Sequence, residues 1–323
     1  MKKEVKATMT NKAHEKIPGN PSVSTSSDQK LNDRSNRKSL RVLSEEDWKF
    51  WMHNGYIVIK NAIPKEQAKA TANFIWEFDE KDPNDTSTWY AKPRAEMKMK
   101  ELAGTGMVEA YNHQALWNNR QTQKVYDAFV DVWGTEKLWV TIDRVNLNFP
   151  QRPGEEKEGF IHWDYDPETR PQNVQGVIAL ADQMDESMGG FQCIPWLYRN
   201  YDTWKLTQPE DRHRFQPNLD SLQDKLVKVL MEAGDLLIFN STEPHGIRPN
   251  RSDNKVRIAQ YVSMMPAEEE NLELRDWRVN SWKNRVAPVG YAFPGDPRNW
   301  EQEKYKTAEL SKLGKKLLGL ENW

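Results

Sequence analysis

The chain has 323 residues, with 46 Lys and Arg against 48 Asp and Glu for a net charge of −2, and 11% of its residues are aromatic. That aromatic content excludes a chain unstructured throughout, and the balanced charge leaves no electrostatic footprint for nucleic acid. No apolar run approaches the roughly 20 residues that cross a bilayer, so neither a membrane span nor a secretory leader is expected; the single Cys193 excludes a multi-cysteine zinc site and fits a reducing compartment, the cytoplasm.

Residues 1–41 contain no Phe, Trp or Tyr and carry ten Lys or Arg against four Asp or Glu. They show neither helical nor strand periodicity and read as a disordered basic tail ahead of one domain over 42–323. Ser44-Glu45-Glu46-Asp47 then opens a helix, with a capping Ser, an acidic first turn, Trp48, Phe50 and Trp51 on the buried side, and Gly55 as its stop. Residues 56–60 are a β-branched strand, and Ile63-Pro64 opens a second helix running to about Glu80. Residues 81–120 are polar with scattered aromatics and are expected as loops or a lid around a site. Helical spacing returns over 121–133. Beyond it the period changes to two, with candidate strands at 138–149, 159–165, 174–182, 190–194, 226–231, 235–240 and 256–264. So many strands in one block point to a β-sandwich or barrel, mainly β with flanking helices. The C-terminal part, 277–323, is expected to wrap that core and end in a helix over 307–318.

Six histidines limit the chemistry that must be weighed. His14 falls in the tail, His53 ends the first helix, and His113 and His213 sit in polar segments. His162 and Asp164 are two apart in an expected strand, which turns both side chains to one face. His245 follows the apolar stretch Leu236-Leu237-Ile238-Phe239 and is placed to return a second imidazole to the same mouth. Two imidazoles and a carboxylate on one face of an octahedral ion leave three positions open, the arrangement of non-haem Fe(II) oxygenases. A 2-oxo acid fills two of these positions and O2 the third. The far carboxylate of such an acid suits the planar fork of an arginine. Arg257, twelve positions after His245, is the candidate. Asp166 shares the face of His162 and is the rival ligand. Arg248 and Arg251 are rivals to Arg257, but they fall in what reads as a loop, where arginines are usually solvated; contact with an anionic substrate is the other use open to Arg248. Trp163 should turn away from the ligands into the core, and Cys193 reads as a small core residue.

Taken in order, Asn54-Gly55-Tyr56-Ile57-Val58-Ile59, His162-Trp163-Asp164, Gly189-Gly190-Phe191-Gln192-Cys193-Ile194-Pro195, Gly234-Asp235-Leu236-Leu237-Ile238-Phe239, His245-Gly246 and Asn250 to Arg257 resemble the phytanoyl-CoA dioxygenase (PhyH-like) family. The resemblance spans roughly residues 44–265. It implies a double-stranded β-helix, the jelly-roll or cupin-like core, and an Fe(II)- and 2-oxoglutarate-dependent dioxygenase. Carried onto this chain, it implies His162, Asp164 and His245 as iron ligands and Arg257 as the partner of 2-oxoglutarate. Further polar groups precede the His-x-Asp pair in some relatives, and Asn146 and Asn148 are the matching cosubstrate-binding candidates. Two departures stand out: Trp196-Leu197-Tyr198 replaces a common Gly-Ser-His run, and Ile247 stands where a small hydroxyl residue is usual.

The implied reaction is oxidation, most simply hydroxylation, of a C–H bond in a small organic molecule, with succinate and CO2 released. Because Asp164 occupies the position that halogenating relatives leave small, halogenation is not expected. Two alternatives stay open: a metal enzyme of the same fold that uses no oxo acid, and a non-catalytic binding module. Neither the substrate nor the oligomeric state is legible in the sequence.

Overall fold

The period-two pattern decides the architecture. In the computed structural model the described residues are 30–36, 38–90, 96, 105–152, 154–155, 158–288 and 293–323. In chain order the strands are β1 (Tyr56–Ile59), β2 (Met107–Val108), β3 (Leu138–Val140), β4 (Val145–Asn148), β5 (Val174–Ala179), β6 (Gly190–Cys193), β7 (Val227–Lys228), β8 (Leu236–Asn240), β9 (His245–Arg248), β10 (Arg257–Tyr261) and β11 (Met264–Pro266). The helices are α1 (Glu45–Asn54), α2 (Lys65–Phe78), α3 (Gln114–Arg120), α4 (Gln123–Trp133), α5 (Pro195–Lys205), α6 (Leu272–Asn284), α7 (Trp300–Lys304) and α8 (Lys312–Leu318).

A six-stranded antiparallel sheet runs β1-β8-β5-β10-β4-β2, a three-stranded sheet runs β7-β6-β9, and β11 pairs with β3. Along β5, β8 and β10 alternate residues point to opposite faces of the large sheet. Val174, Ile178, Leu236, Ile238 and Ile258 join the core shared with the helices, including Phe129 and Val132 of α4. Their neighbours Val177, Ala179, Leu237, Phe239 and Ala259 meet Phe191 and Cys193 of the small sheet. The two sheets therefore stack as a sandwich, with helices covering the outer face of the larger one.

Local sequence accounts for the lead-in. Ser44 and Asp47 form a reciprocal capping box at the start of α1, and Gly55, at φ 71°, ends the helix in the left-handed conformation. A Cβ at Gly55 would also approach the Glu243 carboxylate to 2.6 Å.

Several expectations need correcting. The described residues are not mainly β, since helix accounts for 32% of them and strand for 16%. Residues 159–165 are not a strand; His162 makes only an isolated bridge to His245, and the segment then bends. The strand expected over 138–149 divides into β3 and β4, which belong to different sheets. Helix α3 was not foreseen, and its cap is His113, whose Nδ1 accepts from the Ala115 amide and whose ring stacks on Phe74 at 3.7 Å.

Part of the segment expected as a disordered tail is packed on the domain. Residues 1–29 lie outside the described residues, but part of 30–41 packs against α4. Leu31 is buried, the Asn32 amide bonds to Val132 O, Trp51 Nε1 donates to Asn32 Oδ1, and the amides of Arg41, Val42 and Leu43 donate to the buried Asp131 carboxylate. This polar segment is held by two buried leucines, Leu31 and Leu43, and by backbone hydrogen bonds, three of them from 41–43 to the one acid Asp131. No helix among the described residues is long and apolar enough to cross a membrane.

Candidate metal centre

His162 and His245 face each other across a reciprocal backbone pair, His162 N to His245 O at 2.8 Å and His245 N to His162 O at 3.0 Å. Residues paired this way project their side chains on one side, and the two ring centroids are 4.7 Å apart. The bend after His162 brings Asp164 back to both. Its Oδ1 lies 3.1 Å from His162 Nε2 and its Oδ2 lies 3.4 Å from His245 Nε2. One donor atom from each of the three residues falls within 4.8 Å of the others, and among the described residues no fourth His, Cys, Asp or Glu joins the group.

Trp163, between the two ligand candidates, points the other way. It is 1% exposed, packs with Ile161, Ile194, Leu197, Tyr201 and Trp204, and donates from Nε1 to Thr242 O at 3.0 Å. Helix α5 supplies three of those five residues. The run Trp196-Leu197-Tyr198, which departs from the family pattern, is thus the first turn of a helix that buttresses the His-x-Asp segment.

Each imidazole is oriented from behind. His245 Nδ1 donates to Glu243 O at 3.0 Å, which leaves Nε2 bare toward Asp164, and its ring packs on Phe239 and Phe191. The Glu243 carboxyl itself is buried, and burial pushes it well above the usual carboxylate range. His162 Nδ1 is buried without a partner among the described residues. Burial opposes charge on Asp164, but hydrogen bonds and charge from His162 and then His245 hold it well below the usual carboxylate range. Gln175, on β5, donates from Nε2 to Asp164 Oδ2. The sequence reading missed this residue. Only its place in the cavity-facing half of the alternation, shared with Val177 and Ala179, could have pointed to it.

The group lies in a cavity of about 1100 Å³. Phe160, whose ring centroid is 5.1 Å from that of His162, and Tyr261 line it, and Trp89, Tyr90 and Phe149, with ring centroids 5.5 to 6.5 Å apart, form an aromatic wall. The C-terminal segment contributes Asp296, Pro297 and Arg298, and parts of 81–120 contribute Lys81, Trp89, Tyr90 and 105–109. Residues 91–95 and 97–104 of the expected lid lie outside the described residues.

Arg257 is 1% exposed on β10, opposite Asn148 of β4, and its Nη1 donates to Asn146 Oδ1 at 2.7 Å. Asn146 and Asn148 line the cavity, and Arg257 lies behind them. The reading of Arg248 as a solvated loop residue is overturned: it ends β9, is 3% exposed and lines the cavity. Asp166 does not join the triad, because its carboxylate caps the turn Pro167–Thr169 and pairs with Arg214. Cys193 is buried between the sheets, where burial raises its thiol pKa, as suits a core residue.

Two neutral imidazole nitrogens and one ionised carboxylate oxygen, open on the cavity side, fit a divalent first-row metal, and Fe(II) suits this donor set with vacant positions. The lowered pKa keeps the Asp164 carboxylate ionised, as a cation ligand must be.

The sequence profile of the phytanoyl-CoA dioxygenase (PhyH) family matches residues 51–259. Ava biosynthesis cluster protein O of Aspergillus versicolor is 25% identical over 263 residues, covering 72% of this chain and 82% of its own. The crystal structure of a hypothetical protein from Escherichia coli superposes with a TM-score of 0.63 at 16% identity, covering 97% of this chain and 90% of that one. GlcNAc inducible gene 2 protein from Candida albicans gives 0.61 at 13%, covering 87% and 77%. At such identities the structural likeness speaks to the fold, whereas the profile spans well over half of the chain. The chain belongs to the phytanoyl-CoA dioxygenase family.

Proposed function

We propose that this protein is an Fe(II)- and 2-oxoglutarate-dependent dioxygenase that oxidises, most simply hydroxylates, a C–H bond of a small organic molecule. The observation that carries the reading is the meeting of His162, Asp164 and His245 inside a cavity that fits a substrate beside a cosubstrate. We read the stacked sheets as the double-stranded β-helix of that enzyme class. His162, Asp164 and His245 would hold Fe(II), which, with 2-oxoglutarate and O2, couples oxidative decarboxylation of the oxo acid to succinate and CO2 with insertion of one oxygen atom into the substrate.

The remaining roles belong to the chain's own residues. Asp164 stays ionised between two imidazoles, as a ligand must. The bond from His245 Nδ1 to Glu243 O fixes the tautomer that leaves Nε2 to coordinate. Phe191 and Phe239 shield that imidazole from water. Arg257, held by Asn146, supplies positive charge for the far carboxylate of 2-oxoglutarate. The aromatic wall of Trp89, Tyr90 and Phe149 offers an apolar surface for the substrate.

The test is succinate formation from 2-oxoglutarate by the full chain with Fe(II) in air. We expect turnover that vanishes in His245→Ala. Succinate production retained by that variant, or none by the folded wild type with any panel of candidate substrates, would contradict the reading.

A further inference from the structure

Two of the three ligand candidates are fixed by the main chain, and the third is not. His162 and His245 hold each other through two backbone hydrogen bonds, 2.8 and 3.0 Å long. Asp164 lies in the bend that follows, belongs to no strand, and makes no backbone hydrogen bond among the described residues. Gln175 reaches its carboxylate but not its main chain. A residue in such a bend keeps backbone freedom that is lost when its carboxylate is fixed on a metal. Where Asp164 stands is therefore decided by its neighbours rather than by a ladder.

Trp163 is tied on two sides. Its amide donates to Phe215 O at 2.9 Å, and its indole Nε1 donates to Thr242 O at 3.0 Å. Thr242 belongs to the turn that delivers His245: its amide and hydroxyl donate to Asn240 Oδ1 at 2.9 and 2.8 Å, and the Glu243 amide donates to Asn240 O at 2.8 Å. The residue before Asp164 is thus joined to the turn before His245. Phe215 ends a strap, Arg212–Phe215, that also meets the residues after Asp164. Arg212 Nη2 lies 2.9 Å from Glu168 Oε1 and 2.7 Å from Tyr201 Oη, and Arg214 Nη1 lies 3.2 Å from Asp166 Oδ2. The Arg212 guanidinium sits over Tyr201 and Trp204, 5.7 and 5.6 Å from their ring centroids, and those rings pack on Trp163 at 5.6 and 6.1 Å. The strap is thereby seated on α5.

Resting on the function proposed above, we propose that Trp163 is a positioning residue: through its indole bond to Thr242 O and its amide bond to the strap Arg212–Phe215, it sets Asp164 opposite the two histidines before a metal arrives. Its effect on metal binding runs through the carboxylate, because the backbone pair already fixes the imidazoles. Neither Trp163 nor the strap lines the cavity, so substrate and cosubstrate contacts are left untouched. The arrangement also gives a use to the departure at Trp196-Leu197-Tyr198, since the helix those residues open carries the two rings on which Trp163 and Arg212 rest.

The experiment is a double-mutant cycle on Ni(II) affinity, measured by calorimetry on the full chain, with Trp163→Phe made alone and in an Asp164→Ala background whose two imidazoles still hold the ion. We expect Trp163→Phe to lower the affinity about tenfold in the otherwise native chain, the low end for removing a group that orients a ligand, and to leave it unchanged in the Asp164→Ala chain. A loss of stability from the smaller ring is common to both backgrounds and does not enter the comparison. Arg212→Gln, which frees the strap and leaves Trp163 in place, should show the same pattern at smaller size, and it decides the matter if Trp163→Phe does not fold. No loss in the native background, or an equal loss in both, overturns the positioning role while leaving the proposed function intact. A folded wild type that binds no Ni(II) removes both.

Discussion

The two faces of the six-stranded sheet are built by the same strands and do opposite things. Toward the helices, Val174, Ile178, Leu236, Ile238 and Ile258 form an apolar layer, in which the buried Gln260 bonds to Asn119 and Leu116 of α3. Toward the small sheet, the intervening positions begin apolar at Val177, Leu237 and Ala259 and turn polar at Gln175, Asn146, Asn148 and Arg257. A one-residue step along a strand thus moves from stability to chemistry. The apolar face can hold the sheet rigid because it carries no functional group, and the cavity face can keep polar groups because its neighbour does the holding.

Substitutions that hit one face alone test this division, and the largest effect is expected at the ligands. His162→Ala should weaken Mn(II) or Fe(II) binding by about a thousandfold, or about 4 kcal/mol, while the unfolding midpoint of the metal-free protein stays near that of the wild type. Equal metal affinity in calorimetric titration would break the comparison at its functional side. Next, Ile238→Ala should lower stability by about 3 to 4 kcal/mol in denaturant titration and leave metal affinity unchanged. A large metal defect there would show that the faces are not separable.

Buried ionisable groups outside both faces sharpen the contrast. Glu301 accepts from the amides of Tyr111 and Asn112 at 2.8 and 2.6 Å, and burial raises its pKa to about 7. A carboxyl raised from its ordinary value of about 4.3 binds more protons folded than unfolded, so its contribution declines as pH rises from about 4.5 to 7. That decline amounts to up to about 3 kcal/mol. Glu301→Gln should remove this part of the pH dependence of stability without touching metal binding; an unchanged slope in the variant would deny the shift. The smallest effect is expected at Gln175→Ala. Losing the bond to Asp164 Oδ2 should weaken metal binding by about tenfold, with stability nearly unchanged, whereas undiminished affinity would make Gln175 a bystander.

What the sequence discloses divides along the same line. Periodicity placed α1, β1, α2, α4 and the apolar cores of β5, β8 and β10 near their observed positions, because each buries one stripe or face. His162, Asp164 and His245 were legible as a set because few residue types suit a metal. Their local geometry was not. The His-x-Asp segment is a single bridge and a bend, held by Trp163 and α5 rather than by a ladder, so strand periodicity misdescribes it. Arg248 was misjudged for the converse reason: a short edge strand of four residues beginning His-Gly has too little pattern to separate from a loop. Its burial follows from Gly190 across the ladder, a partner 58 positions away that only tertiary structure reveals. The packing of the described part of 30–41 escaped notice because it rests on one leucine, Leu31, and on hydrogen bonds to Val132, Trp51 and Asp131, interactions with no compositional signature.

The most direct test of the central claim is the visible spectrum of the anaerobic full chain with Fe(II) and 2-oxoglutarate. A ferrous ion chelated by a 2-oxo acid while held by His162, Asp164 and His245 gives a weak charge-transfer band, and the account predicts that band in the wild type and its loss in His162→Ala and His245→Ala. Folded wild-type protein with no band, or variants that keep it, would contradict the account.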